Sequence, residues 1–173
     1  MAEFTSAGQP LDAAAQKLNY GTILELLEID CTPIGGQVHR ICSSRQTTGS
    51  VQFLGMFFAP VPYQSEGWAW DGSGNAPRPE VTIADVDGIM LYEAALHQDL
   101  VGMKVRRWVT TTELLATGSY YGPEIWRVLK KSEANGQYIK FELGTLLDMA
   151  SVMVPRRQML KKDFPALGRS RVG

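Results

Sequence analysis

The residues that could do chemistry in this sequence are its two cysteines and two histidines. Cys31 begins the stretch "CTPIGG", and Cys42 ends the segment "VHRIC" that follows it. A nucleophilic cysteine needs a base and a group that orients this base. His39 or His97 could act as the base, with Asp30 as the orienting group. No spacing in the sequence singles these residues out, so we expect no catalytic constellation.

The two cysteines also have structural interpretations. If Gly36 and Gln37 are the central residues of a hairpin turn, Cys31 lies opposite Cys42, at a distance that a disulfide can bridge. A metal site is not expected, because the spacing is not C-x-x-C and only His39 lies nearby. We expect two small, buried, reduced cysteines that lie close together in space.

Two other stretches could bind ligands. Glycine-rich loops that hold phosphate lead into a helix N-terminus, whereas the loop "DGSGNAPRP" (71–79) leads through two prolines into a predicted strand. It is therefore predicted to be a long loop that is flexible or contacts a partner. In "MKVRRW", Arg106 and Arg107 would lie on opposite faces of a strand beside Trp108. This pattern favours a solvated edge with one core-facing aromatic over base stacking.

Composition limits the class of protein. The 173 residues are 45% hydrophobic and 20% charged, which is enough to build the core of one domain. The formal net charge of the chain is −1. Residues 155–173 have a net charge of +5, so the other residues together have a net charge of −6. This balance argues against a nucleic-acid coat protein. The N-terminal residues lack the features of a signal peptide and no apolar run is long enough to span a bilayer, so we expect folding in a reducing cytoplasm.

Periodicity predicts an α+β fold, mainly of antiparallel β-structure, in the form of a small β-barrel or sandwich with one or two short helices and extended arms. Helices are expected at 10–20 and 88–99. We predict strands at 21–34, 38–44, 50–64, 80–86, 103–111, 124–134 and 136–144. One domain would cover 1–160, with a β-rich body at 21–154, and 161–173 would form a short basic tail.

The segment "VQFLGMFFA" has large apolar residues on both faces if it is read as one strand. Phe53 and Phe57 would share one face, and Leu54, Met56 and Phe58 the other. A small domain has difficulty covering both faces, so part of this segment is predicted to face a partner. Tryptophans of the following loop are typical interface anchors. The candidate subunit interface is therefore Phe53, Met56, Phe57, Trp68, Trp70 and Arg78.

The order of several segments resembles the phage minor tail protein L family, typified by lambda-like siphophages. These segments are "LLEIDCTPIGGQVHRIC", "VQFLGMFFAPVPYQSEGWAWDGSGNAPRPEVTIADVDG", "DLVGMKVRRWV" and "FELGTLLDMASVMVPRRQML". The resemblance runs from about Leu11 to Leu160. Its most specific parts are the "EID-T--GG" hairpin, the "G-G---RP" loop and "LVG--V-R".

The resemblance implies a non-enzymatic structural subunit of the virion tail tip, built on a β-barrel-like domain of the tail tube and hub type. It implies a ring, with a homotrimer favoured and a hexamer as the alternative, between the distal tail-tube ring protein and the central fibre or host-specificity protein. DNA would pass through the lumen, and assembly would take place in the host cytoplasm.

The sequence departs from lambda-like members at its C-terminal end. Those members continue into a cysteine-rich extension that binds an iron–sulfur cluster, whereas "KKDFPALGRSRVG" follows here and no cysteine occurs after Cys42. Two cysteines cannot supply four thiolates, so neither a cluster nor any other cofactor is expected. Two other classes of function stay open: a small β-barrel cysteine hydrolase using Cys31 or Cys42, and a soluble binding module whose 63–79 loop holds the ligand.

Overall fold

A computed structural model describes residues 22–43, 49–69, 76–85 and 87–148. The predicted helix at 10–20 and the basic tail at 161–173 lie outside the described residues. Within them the chain is mainly β-structure with one short α-helix, as predicted. The elements are β1 Ile23–Asp30, β2 Val38–Cys42, β3 Val51–Phe53, β4 Met56–Pro60, β5 Tyr63–Glu66, β6 Glu80–Ala84, α1 Ile89–Leu96, β7 Lys104–Thr111, β8 Tyr121–Ala134 and β9 Tyr138–Gly144.

The strands form one nine-stranded sheet in the order β3-β4-β2-β1-β7-β8-β9-β6-β5. All neighbouring strands are antiparallel except β2 and β4, which are parallel. No pairing joins the end strands β3 and β5 among the described residues, so the predicted barrel is not closed. The sheet is nevertheless strongly curled. This is shown by Ser65 on the end strand β5, which donates a hydrogen bond to the carboxylate of Glu25 on β1. No described helix is long and apolar enough to cross a membrane.

The predicted register of the β1–β2 hairpin is wrong. Asp30 pairs with Val38 and Leu26 pairs with Cys42, so Cys31 does not lie opposite Cys42. Strand β1 is buried on both faces, because the sheet has a core on each side here. Cys31, which follows β1, packs with one core, and Cys42 at the end of β2 packs with the other. Both cysteines are buried, as predicted, and no disulfide joins them, but they pack in different cores and are not close neighbours.

The cause of the shift is the turn that follows β1. Thr32–Ile34 forms a 3₁₀ turn that contains Pro33 near its start, and Gly35 adopts a left-handed φ of 86°. Proline has no N–H to contribute to a strand ladder. The Asp30 carboxylate accepts hydrogen bonds from the backbone N–H and the hydroxyl of Thr32, which fixes the start of the turn. Residues 31–37 therefore all belong to the connection.

The predicted strand 50–64 is also wrong, because the chain reverses inside it. Leu54 and Gly55 have φ of 49° and 75°, so they form a tight turn that joins β3 to β4. As a result Phe53 and Phe58 pack in the same core, with ring centroids 6.3 Å apart. Phe57 points to the other side and is 65% exposed.

Helix α1 begins where Asp85 accepts hydrogen bonds from the backbone N–H groups of Met90 and Leu91. These donors have no partner within the helix, so the carboxylate stabilises the helix start. The buried side of the helix includes Met90, Glu93 and Ala94. Its other side exposes three large apolar side chains, which are Ile89, Tyr92 and Leu96.

The predicted solvated edge at Arg106 and Arg107 is wrong. Their strand, β7, lies in the interior of the sheet between β1 and β8. Arg106 forms an ion pair with the buried Glu28, and Arg107 forms ion pairs with Glu25 and Glu124. Trp108 faces a core, as predicted.

Candidate functional site

Three chemically active side chains meet at one end of the sheet: Cys31, His39 and Glu93, here called the thiol–carboxylate cluster. Cys31 follows β1, His39 lies on β2 and Glu93 lies on α1. The Glu93 carboxylate is 2.6 Å from His39 Nε2 and accepts a hydrogen bond from the backbone N–H of Gln37 at 3.1 Å. The Cys31 thiol donates a hydrogen bond to the same carboxylate. One carboxylate thus joins the hairpin to the helix.

Gly36 allows this close approach. A Cβ atom at this position would lie 2.8 Å from the Cβ of Cys31 and 3.2 Å from a Glu93 oxygen. The first distance is shorter than any normal carbon–carbon contact, so a larger residue would push the hairpin loop away from the cluster. Packing against Cys31 and Glu93 therefore explains why the second glycine of "PIGG", Gly36, has no side chain.

The electrostatics of the cluster do not favour a nucleophilic thiol. Burial raises the pKa of Cys31 to about 12, and the adjacent charge of Glu93 adds to this effect. Burial also raises the pKa of Glu93, but hydrogen bonds from His39, Gln37 and Cys31 outweigh it, so the pKa lies below its usual value. An ionised carboxylate next to the thiol opposes formation of the thiolate, which is the reactive species.

The structure brings together only part of the predicted Cys–His set. Cys31 and His39 meet, whereas Cys42 belongs to the other core and the Asp30 carboxylate bonds to Thr32. Glu93 was missed by sequence reasoning because it lies 54 residues from His39. The one sequence feature that could have indicated a role for Glu93 is its position between apolar residues on one side of the predicted helix. This feature is weak, because the stronger apolar pattern of the helix lies on the opposite side.

A groove of about 630 Å³ lies beside the cluster. The groove is mostly apolar and opens between β2, β4 and the start of α1. Its lining includes Phe57, Ile89 and His39, and His39 is the residue it shares with the cluster. Ile89, Tyr92 and Leu96 are 55%, 66% and 58% exposed. This apolar groove and the outer side of α1 form a surface rich in exposed large apolar residues.

The predicted interface residues occupy different environments. Phe53 is 2% exposed and packs in the core, so it cannot contact a neighbouring subunit and leaves the candidate set. Phe57 is exposed, and Met56 is half-buried against the core. Trp68 is half-buried with its ring against Trp126.

The remaining two candidates differ again. Arg78 is exposed and lies 3.7 Å from the Glu142 carboxylate. Trp70 lies outside the described residues.

Comparison with known proteins identifies the family. The sequence profile described as phage minor tail protein L matches residues 32–167, which is most of the chain. The chain belongs to this family. The match confirms the family resemblance that the ordered segments indicate.

The chain is also similar to the "Tail tip protein L" of Escherichia phage lambda. The two sequences are 29% identical over an alignment of 147 residues, and this alignment covers 78% of the present chain. The chain covers 63% of the length of that relative. The shared region therefore supports membership of the phage minor tail protein L family, but not transfer of every property of the longer protein.

Proposed function

We propose that this chain is a structural, non-enzymatic subunit of a phage tail tip. It assembles in the host cytoplasm as a ring between the distal tail-tube ring protein and the central fibre or host-specificity protein, and DNA passes through the lumen. A homotrimer is the favoured form of this ring, with a hexamer as the alternative. Membership of the phage minor tail protein L family and the printed name of the lambda relative support this proposal.

The observation that carries the proposal is the exposure of Phe57. The other large apolar residues on its hairpin strands pack on the core, yet its own ring is 65% exposed at the rim of the apolar groove. Ile89 lines the same groove and is 55% exposed. Contiguous exposed apolar surface of this kind marks protein contacts. The apolar groove, the outer side of α1 and the exposed Arg78 are the proposed subunit contacts.

Charge supports the passage of DNA. Residues outside 155–173 carry a net charge of −6. A lumen of the same sign as the DNA backbone would let the polyanion pass without binding. Among the alternatives, a cysteine hydrolase is not favoured by the raised pKa of Cys31. For a binding module, part of the 63–79 loop lies outside the described residues, and Tyr63–Glu66 forms a strand of the sheet instead of a loop.

The substitution Phe57→Asp tests the proposed contact. Because Phe57 is exposed, the variant is expected to fold and to keep its thermal stability. Burying an unpaired charge in an interface costs several kcal/mol, so assembly at each contact should weaken by at least about a hundredfold. The measurement is the titre of infectious particles, with tails counted by electron microscopy, when the variant complements a phage that lacks this gene.

Ser132→Asp is the matched control, since it adds the same charge at an exposed position of β8. It is expected to complement normally. Wild-type titres with a folded Phe57→Asp variant would show that this residue makes no contact needed for the tail. Normal tails in a phage that lacks the gene altogether would overturn the structural role itself.

A further inference from the structure

We propose that Cys31, His39 and Glu93 form a binding site for one Zn²⁺ ion. The ion would connect the β1–β2 hairpin to helix α1 and would lie at the end of the apolar groove lined by His39. This site is distinct from the iron–sulfur extension of lambda-like members, because all three ligands lie within the folded β-rich body. The proposal does not depend on the proposed tail function.

The geometry supports a shared ion. One potential ligand atom from each side chain, a sulfur, a ring nitrogen and a carboxylate oxygen, lies within 4.8 Å of the other two. Zinc bonds of about 2.0 to 2.3 Å place tetrahedral ligands roughly 3.3 to 3.7 Å apart. Small rotations of the side chains would bring the three atoms to these separations.

The ligand types favour zinc over other common ions. Thiolate, imidazole and carboxylate together are typical of zinc sites, whereas Ca²⁺ and Mg²⁺ select oxygen ligands. The ligands are also well enclosed: Cys31 is fully buried, and the His39 and Glu93 side chains are 15% and 11% exposed. Three protein ligands leave a fourth position for water or for a group of a partner.

Outer hydrogen bonds hold the ligands in place. The second carboxylate oxygen of Glu93 accepts the backbone N–H of Gln37, which fixes the orientation of this ligand. Gly36 leaves no side chain between Cys31 and Glu93. When Zn²⁺ binds, the thiol releases its proton to solvent. The proton on His39 Nε2 exchanges through solvent, and the neutral ring keeps its proton on Nδ1, so that Nε2 is free to bind. One bond from His39 and one from Glu93 to the ion then replace their direct contact.

The competing account is a hydrogen-bonded cluster without a metal. In that state the thiol and the imidazole both carry protons and both bond to the carboxylate. This arrangement satisfies all three groups, so it accounts for the burial without a ligand. Only the metal-bound state requires a thiolate at Cys31, and this difference can be measured.

The test uses the full chain, stripped with a chelator and titrated with Co²⁺ and then Zn²⁺. We expect one ion per chain and a thiolate-to-cobalt charge-transfer band that Zn²⁺ abolishes. Cys31→Ser and His39→Gln should each weaken binding by at least about a hundredfold. The chain contains only one other cysteine and one other histidine, so Cys42→Ser and His97→Gln are matched controls that should bind as the wild type does.

The Cys42→Ser protein makes the result independent of folding defects in the Cys31 variant. Cys31 is then the chain's one thiol, so a charge-transfer band in this protein must come from it. Absence of the band and of stoichiometric zinc in the folded Cys42→Ser protein would leave the hydrogen-bonded cluster as the correct account. Wild-type metal affinity in a folded Cys31→Ser variant would place the metal elsewhere and would also overturn the proposal.

Discussion

At the scale of single residues, Glu93 decides the character of the thiol–carboxylate cluster. A cysteine and a histidine in contact suggest a nucleophile and its base, but here the carboxylate bonds to both of them. Burial, together with the negative charge of Glu93, raises the pKa of the Cys31 thiol, whereas a catalytic site would lower it. The same three groups that disfavour hydrolysis are good ligands for a metal ion.

We expect both thiols to resist alkylation in the folded, metal-free protein at neutral pH. Cys31 has a negligible thiolate fraction with its pKa raised to about 12, and Cys42 is fully buried. The measurement is the rate of iodoacetamide incorporation by mass spectrometry, with and without denaturant. Ser132→Cys provides an exposed thiol as positive control. A native thiol that reacts faster than this control would revive the cysteine hydrolase hypothesis.

At the scale of elements, the β3–β4 hairpin shows how one turn reassigns a face. A two-residue turn with positive φ at both positions brings Val51 opposite Phe58 and Gln52 opposite Phe57. The pairs alternate across the sheet, so one pair is buried and the other is exposed. This arrangement frees Phe57 for a contact with a partner.

The turn itself can be improved. Leu54 has a φ of 49°, which is unfavourable for leucine but tolerated by asparagine, and Asn-Gly is the preferred pair for such turns. Leu54→Asn is expected to raise the free energy of unfolding by about 0.5 to 1 kcal/mol. Urea unfolding followed by tryptophan fluorescence measures this change.

Leu146→Asn is the matched control for the turn, because Leu146 and Leu54 are 49% and 50% exposed. It should not stabilise the protein. If both substitutions change stability equally, the effect comes from loss of exposed apolar surface and not from backbone conformation.

At the scale of the whole molecule, Arg107 on β7 connects its two neighbouring strands to a tryptophan at the far end of the strand order. Its guanidinium pairs with Glu25 on β1 and Glu124 on β8, and it lies 4.4 Å from the ring centre of Trp68, beyond β5. Burial lowers the pKa of Arg107, but the two carboxylates outweigh this and raise it above its usual value. The curl of the open sheet therefore rests partly on one cation.

We expect Arg107→Lys to lower the free energy of unfolding by about 1 to 3 kcal/mol. Lysine keeps the charge but cannot reach two carboxylates in a planar fork while stacking on an indole. Arg78→Lys is the control, since the Arg78 side chain is 60% exposed and lies 3.7 Å from Glu142, and this substitution should change stability by less than about 0.5 kcal/mol. Equal losses in both variants would show that Arg107 has no special bridging role.

The sequence by itself determined most of the local elements and indicated the family. Alternation at 138–143 correctly places Ile139, Phe141 and Leu143 in the core, because side chains of a strand alternate between its faces. The apolar residues on both faces of β1 are likewise visible in the sequence, whereas the more apolar side of α1 is the exposed one. The ordered segments were sufficient to indicate the phage minor tail protein L family.

Tertiary structure alone decided the registers and the cluster. The β1–β2 register depends on a seven-residue connection whose 3₁₀ turn is stabilised by Asp30, and the sequence pattern favours a shorter turn at the glycines. Contact between Cys31 and Glu93 depends on where α1 packs, since local periodicity carries no information about distant neighbours. For the same reason, the difference between the buried Phe53 and the exposed Phe57 appears only when the chain has folded.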